Sequence, residues 1–174
     1  MKPVYLLTGR PGTGKTSLIK QAVAELEVDA GGFYTEEIRD KGTRLGFKLV
    51  TLDGEEVVLA HVNIHSPYRV GKYGVDIEGL ERVGVAALRR AAARSCLVIV
   101  DEIGKMELFS AAFRESVLAI ANSGKRVLGT IMLAPNPWAD AIKRLPQVKL
   151  VEVTRANREQ VRDDLRDWLA TIAS

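Results

Sequence analysis

The sequence predicts an α/β fold: a layered sandwich on a mostly parallel sheet, with an antiparallel hairpin insertion. Three observations predict it. Short apolar runs of strand length alternate with stretches of helical spacing along most of the chain. One of these runs, Leu97 to Val100 (LVIV), is apolar throughout, as a strand covered on both faces must be. Between the first helical stretch and that run, two strand-like segments flank Asp53-Gly54, a turn pair that closes hairpins.

Taken in order, Val4 to Thr8 (VYLLT) reads as a short buried strand ending in glycine. A glycine-rich loop follows, and Lys15 to Leu26 then has apolar residues at Leu18, Ile19, Ala22, Val23 and Leu26, a helical spacing. Gly32 to Ile38 reads as a strand, and Leu45 to Leu52 with Glu56 to Val62 as the hairpin. A helix is expected from Gly79 through VGVAALRRAAA. Beyond the LVIV strand come a helix over Leu108 to Asn122, closed by Gly124, and a strand over Arg126 to Leu133. A short helix over Ala139 to Leu145 and a strand over Val148 to Val153 follow. The last helix is Arg158 to Ile172, with Asn157 as its N-cap.

At 174 residues the chain has the length of one domain, residues 1–174, able to bury a core without staples. Hydrophobic residues at 47% and charged residues at 27% are the balance of an ordinary soluble globular protein. The formal charge of +3 is small and scattered, so no nucleic-acid partner is expected. The N-terminus lacks a signal-peptide pattern and no run is long enough to span a bilayer. A cytoplasmic protein with no membrane partner is expected. The one cysteine, Cys96, cannot form an internal disulfide and reads as a small buried hydrophobe in CLVIV. No heptad or apolar stripe calls for a partner chain, so a monomer is expected.

The loop itself carries the first chemical signal. GRPGTGKT fits G-x-x-x-x-G-K-[ST] at every fixed position: Gly9, Gly14, Lys15 and Thr16, with Gly12 as a further flexible point. Glycines admit the backbone angles that let successive N–H groups converge on a phosphate. The helix that starts near Lys15 adds its positive end. Lys15 is expected to reach the β- and γ-phosphates, and Thr16 to place its hydroxyl on Mg²⁺.

CLVIVDE, Cys96 to Glu102, supplies the second signal, an apolar strand ending in acids. Asp101 is expected to hold Mg²⁺ opposite Thr16. Glu102 is expected to orient and deprotonate an attacking water, whereas a kinase has to aim an acceptor hydroxyl and exclude water. Both acids and the loop directly follow strands, and ligands of such sheets bind beyond the strands' carboxyl ends. The fold therefore brings them to one rim.

With these residues in view, the chain resembles, along nearly its full length, the small nucleoside-triphosphatases first known from thermophiles, also called the cancer-related nucleoside-triphosphatase family. The resemblance rests on GRPGTGKTSLI, on GGFYTEEIRDKGTRLGFKLVTLDG (Gly31 to Gly54), on RVGKYGVD (Arg69 to Asp76) and on LVIVDEIGKMELFS (Leu97 to Ser110), with VLGTI and VTRANRE following in order. It implies the three-layer sandwich of the P-loop NTPases, RecA-like or kinase-like. It implies slow Mg²⁺-dependent hydrolysis of ATP, GTP, CTP and UTP to diphosphate and phosphate, with loose base choice. It also implies that Gly9, Arg10, Pro11, Gly12, Thr13, Gly14, Lys15 and Thr16, together with Asp101, Glu102, Ile103 and Gly104, form the nucleotide-binding regions. Asn136-Pro137-Trp138 departs from the family's usual His-Pro-Phe.

The remaining candidates stay open at this stage. Arg39, Arg69 and Lys72 fall in distinctive blocks, and any of them could serve the γ-phosphate as an internal cation or form a surface salt bridge. Lys105 could contact phosphate, orient Glu102 or pair with Glu107. Glu36 and Glu37 could position water or metal, or stand solvated. Arg158 could approach the base. Thr130 could sense the γ-phosphate or fill the core. Tyr34, Tyr73 and Trp138 read as packing residues, and His61 and His65 as surface or edge residues. Two rival functions share the loop: a kinase acting on a nucleoside, nucleotide or polynucleotide hydroxyl, and a switch whose partner binding follows nucleotide state. Acceptor-dependent ATP consumption marks the first, and a partner-dependent burst the second.

Overall fold

Nine strands join into one sheet in the computed structural model, which describes residues 1–173. They are β1 (Val4–Thr8), β2 (Ala30–Asp40), β3 (Thr43–Thr51), β4 (Glu56–His61), β5 (Arg69–Val70), β6 (Tyr73–Val75), β7 (Leu97–Ile103), β8 (Arg126–Ile131) and β9 (Val148–Glu152). Their order is β5-β6-β4-β3-β2-β7-β8-β1-β9. The β2, β7, β8, β1 and β9 side is parallel; β2 to β6 pair antiparallel.

Side-chain alternation splits the parallel strands between two cores. On β1, Val4 and Leu6 face one core, and Tyr5 and Leu7 the other. On β7, Val98 and Val100 face the first, and Leu97 and Ile99 the second. Helices α1 (Lys15–Glu25) and α6 (Arg158–Ala173) cover the second face with Leu18, Ile19, Leu165 and Leu169. All four are essentially solvent-free, each contributing about 1.5–3 kcal/mol of burial. The first face is covered by a helical stretch that runs from α2 (Ile77–Gly79) through a π-helical segment (Leu80–Val85) into α3 (Ala86–Arg94). Next to it lie α4 (Ala111–Ala121) and α5 (Pro137–Lys143). The α/β sandwich with a mostly parallel sheet is thus the fold the sequence predicts. Among the described residues no helix is long and apolar enough to cross a membrane.

Several boundaries move for local reasons. The helix expected from Leu108 starts at Ala111, because Ser110 Oγ accepts from Phe113 N–H at 3.0 Å and caps it there. A single 3₁₀ turn, Glu107–Phe109, precedes it. The helix expected from Ala139 starts at Pro137, because Asn136 Oδ1 accepts from Trp138 and Ala139 N–H, both at 3.0 Å. Asn157 does not cap α6 with its side chain as expected. Its Oδ1 accepts from Thr154 N–H at 2.7 Å and its Nδ2 donates to Glu152 O at 2.7 Å, so the carboxamide ties the preceding loop.

β2 runs past its expected end and turns into β3 through Lys41-Gly42, whose φ angles of 50° and 80° are those of a tight hairpin. The antiparallel extension therefore contains a second hairpin, besides the expected one at Asp53-Gly54. β5 and β6, within Arg69–Val75, are a further addition. Cys96 is exposed rather than buried: β7 begins one residue later, and Cys96 N–H is used on Asp29 O at 3.1 Å.

Candidate functional site

The glycine-rich loop leaves β1 between β8 and β9 and passes into α1. Gly9 has φ 142°, and a Cβ there would stand 2.6 Å from Val153 O, so only glycine fits. Gly14, with φ 82°, precedes α1 and offers no side-chain cap. The first N–H groups of α1 are thus left to face the loop's interior. Lys15 Nζ arches back over the loop, donating to Gly9 O at 2.9 Å and Arg10 O at 3.0 Å. Burial lowers the Lys15 pKa, against the opposing pull of the Glu102 and Asp101 charges. Thr13 Oγ1 donates to Arg10 O at 3.0 Å and tightens the same turn.

Asp101 and Glu102, within the last three residues of β7, stand in different states. Asp101 is 3% exposed, and both its oxygens are held. Thr16 Oγ1 donates to Oδ2 at 2.7 Å, and Thr130 Oγ1 donates to Oδ1 at 2.6 Å. Burial raises its pKa; the two hydroxyls and the charges of Lys20 and Lys15 work the other way. Thr130 follows Gly129, the β8 partner of Val100, and reaches Asp101 where the β7–β8 register shifts. Glu102 accepts no side-chain hydrogen bond among the described residues. Burial raises its pKa, the Asp101 charge adds to this, and Lys15 offsets part of it. Its Oε1 lies 2.6 Å from where a Gly104 Cβ would stand, so Gly104 lets the carboxylate lie flat on the turn.

The structure brings Gly9 to Thr16, Asp101, Glu102 and Gly104 to one rim, as the sequence predicts. Ile103 departs from that set. Its side chain is 1% exposed in the core of Val98 and Val100, and its carbonyl accepts from Met132 N–H at 3.0 Å, because the β7 register shifts between Val100 and Ile103 and breaks the alternation there. A cavity of about 660 Å³ opens between Arg10 to Thr13 and the strand end at Glu152 to Arg155, with Leu133 beside it. It lies on the β9 side of the loop, and its size suits a nucleoside.

Three of the open cations are engaged elsewhere. Arg39 pairs with Glu37 at 2.6 Å and donates to Gly42 O at its hairpin end. Arg69 donates to Lys72 O at 2.9 Å, and Lys72 Nζ stands over Tyr73, 5.5 Å from its ring centroid. Lys105 is exposed and forms no ion pair with Glu107 among the described residues. Glu36 is bound to Lys20 at 3.0 Å and Lys48 at 3.6 Å. Tyr34 lies under Lys20, and burial, with the Asp101 charge, pushes its pKa up to about 12. Tyr73 packs edge-on against Phe47.

Two residues stand closer to the site than the sequence reveals. The Arg158 guanidinium packs on Gly14, with Nε 2.9 Å from where a Cβ would be. Glu107 is 4% exposed, and burial, with the Glu102 charge, raises its carboxyl well above the usual range. The signal for Arg158 is its place at the start of α6, just after the loop that follows the last parallel strand. Glu107 gives no sequence signal, because a lone glutamate before a helix reads as solvated.

The chain is similar to known proteins along most of its length. A profile of the family described as NTPase matches residues 4–165. The nucleoside-triphosphatase THEP1 of Thermotoga maritima is 49% identical over 160 residues, covering 92% of this chain and 91% of the relative. The human cancer-related nucleoside-triphosphatase is 39% identical over 175 residues, covering 91% and 92%. The crystal structure of THEP1 from Aquifex aeolicus superposes with a TM-score of 0.86 at 36% identity, covering 95% of this chain and 99% of that one.

Proposed function

The chain belongs to the nucleoside-triphosphatase family, and on that premise we propose that it cleaves ATP, GTP, CTP and UTP to diphosphate and phosphate with Mg²⁺. The observation that carries this reading is the contrast between neighbours. Asp101 has both oxygens held by hydroxyls, and Glu102 has neither held among the described residues. A fixed carboxylate suits a metal, and a free one suits a water.

The metal fits the residues present. Thr16 Oγ1 and Asp101 Oδ2, 2.7 Å apart, are hard oxygen donors, and one carboxylate with one hydroxyl leaves the rest of an Mg²⁺ shell to phosphates and water. When bound, Mg²⁺ neutralises charge on the β- and γ-oxygens. Lys15 exchanges its loop carbonyls for phosphate oxygens and holds the charge that develops there. The first N–H groups of α1 hold the same phosphates. Glu102 accepts the proton of the attacking water, whose oxygen bonds to the γ-phosphorus as the bridge to the β-phosphate breaks. The base rests in the 660 Å³ cavity, whose open wall of loop and strand-end residues suits loose base choice. We place the protein in the cytoplasm as a monomer; of its exposed large hydrophobics, Val58, Leu118 and Leu150 lie on separate elements, and Tyr68 and Phe109 pack against each other.

Phosphate release from the four triphosphates, with Mg²⁺ and with EDTA, tests this. Metal-dependent release from all four is expected. Release from one base alone, or release indifferent to EDTA, contradicts it.

A further inference from the structure

A second cavity, of about 200 Å³, lies on the other side of Glu102 from the nucleoside cavity. Its apolar wall is Phe47, Leu59, Val70 and Met106, and its polar floor is Glu102 and Glu107. Phe47, Leu59 and Val70 come from β3, β4 and β5 and Met106 from the turn after β7, so the antiparallel extension builds most of the wall against the acidic turn. Thr35 adds one hydroxyl from β2, and the exposed Lys105 borders it.

Position gives this cavity its meaning. The nucleoside cavity lies by β9 and β1, and Thr16 with Asp101 marks the metal and γ-phosphate at β7. The line from nucleoside to γ-phosphate therefore continues across the sheet toward β2, where the second cavity opens. In-line displacement needs its nucleophile opposite the leaving β-phosphate, which is this side. Hydrolysis needs one water there. The cavity has room for on the order of half a dozen waters, and most of its wall is apolar. A chamber of that kind suits a small organic molecule better than a water cluster.

We propose that this cavity is a phosphoryl-acceptor subsite, which takes a small uncharged or cationic alcohol in place of the attacking water. The proposal rests on the reading of Glu102 as proton acceptor. The alcohol oxygen bonds to the γ-phosphorus, its proton passes to Glu102, and the bond to the bridging oxygen breaks. The products are nucleoside diphosphate and an alkyl phosphate. The Glu102 carboxylate, ionised as the proton acceptor, repels an anionic acceptor, so phosphate-bearing alcohols are excluded. The apolar wall favours a chain of a few carbons.

The test uses the intact protein with γ-labelled ATP and Mg²⁺, reading alkyl phosphate against inorganic phosphate. The probes are propan-1-ol, 3-aminopropan-1-ol and 3-hydroxypropyl phosphate. The first two are expected to give saturable alkyl phosphate, at least about tenfold above their molar ratio to water; the anionic probe stays at that ratio. Val70→Trp fills the cavity and is expected to return the product ratio to the molar one. Leu59→Phe, a smaller filling, is expected to lower it several-fold. The ratio is read within each variant, so a poorly folded variant loses both products and leaves the other to decide. Transfer at the molar ratio for both favoured probes, or a ratio unmoved by both substitutions, overturns the subsite. Saturable transfer to the anionic probe overturns its charge selection. Unchanged phosphate release by Glu102→Gln without alcohol contradicts the proton-acceptor reading alone, since the product ratio is measured separately.

Discussion

In the parallel half of the sheet, polar groups at the strand ends are buried and tied to each other. Asp101 takes two hydroxyls, and Thr8 Oγ1 donates to Ile131 O at 2.7 Å. In the antiparallel half, the charged groups meet at the surface. Arg39 and Arg44 share Glu37, Arg90 spans Asp53 and Glu55, and Lys48 joins Glu36 to Glu56. Exposed pairs of this kind contribute about 0–1 kcal/mol, whereas a buried hydrogen bond to a charged group contributes about 1.5–3 kcal/mol. Chemistry and stability are therefore concentrated in the parallel half, and the antiparallel half contributes shape.

Substitutions can break this contrast in order of size. Lys15→Ala removes the cation over the loop and is expected to lower kcat/KM by about 100- to 1000-fold, as loss of one transition-state donor does. Steady-state phosphate release checks it. A loss under tenfold would place the phosphate grip elsewhere. Thr130→Val keeps the shape and deletes the donor to Asp101 Oδ1. A stability loss of about 1.5–3 kcal/mol is expected in denaturant unfolding. Arg90→Ala, its counterpart in the other half, is expected to cost less than about 1 kcal/mol.

Glu107 sharpens the contrast through pH. Its folded-state pKa is raised by burial and the Glu102 charge, from an ordinary value of 4.5. Below 4.5 it is protonated in both folded and unfolded chains. As pH rises from there toward the raised value, only the unfolded chain releases the proton, so stability falls. Glu107→Gln removes this loss, and its melting temperature is expected to depend less on pH above 4.5 than that of the native protein. Parallel curves would contradict the burial. The smallest effect is expected from Arg39→Ala, with kcat/KM within about twofold and stability within about 1 kcal/mol. A tenfold loss of activity would bring Arg39 back to the γ-phosphate.

The same contrast explains what the sequence made legible. β1, the loop and the start of α1 were readable because glycine spacing and a wholly apolar strand are local signals. Asp101 and Glu102 were readable for the same reason. The Thr130 contact depends on which strand lies beside β7, which no local pattern reveals. Arg158 meets Gly14 only after the last strand returns beside β1. Glu107 is turned inward by a single 3₁₀ turn too short to leave a periodicity. The Lys41-Gly42 hairpin was missed because lysine is a weaker turn residue there than asparagine or aspartate. Cys96 was misplaced by one residue, enough to move it from core to solvent.

The most direct test of the account compares the native protein with Glu102→Gln in two measurements on the same preparations: Mg²⁺-nucleotide affinity, and the single-turnover rate of phosphate release. The account predicts affinity within about threefold and a rate lower by about 100-fold or more, because only proton acceptance is lost. Equal rates, or loss of affinity and rate together, would contradict the assignment of Glu102 as the group that readies the water.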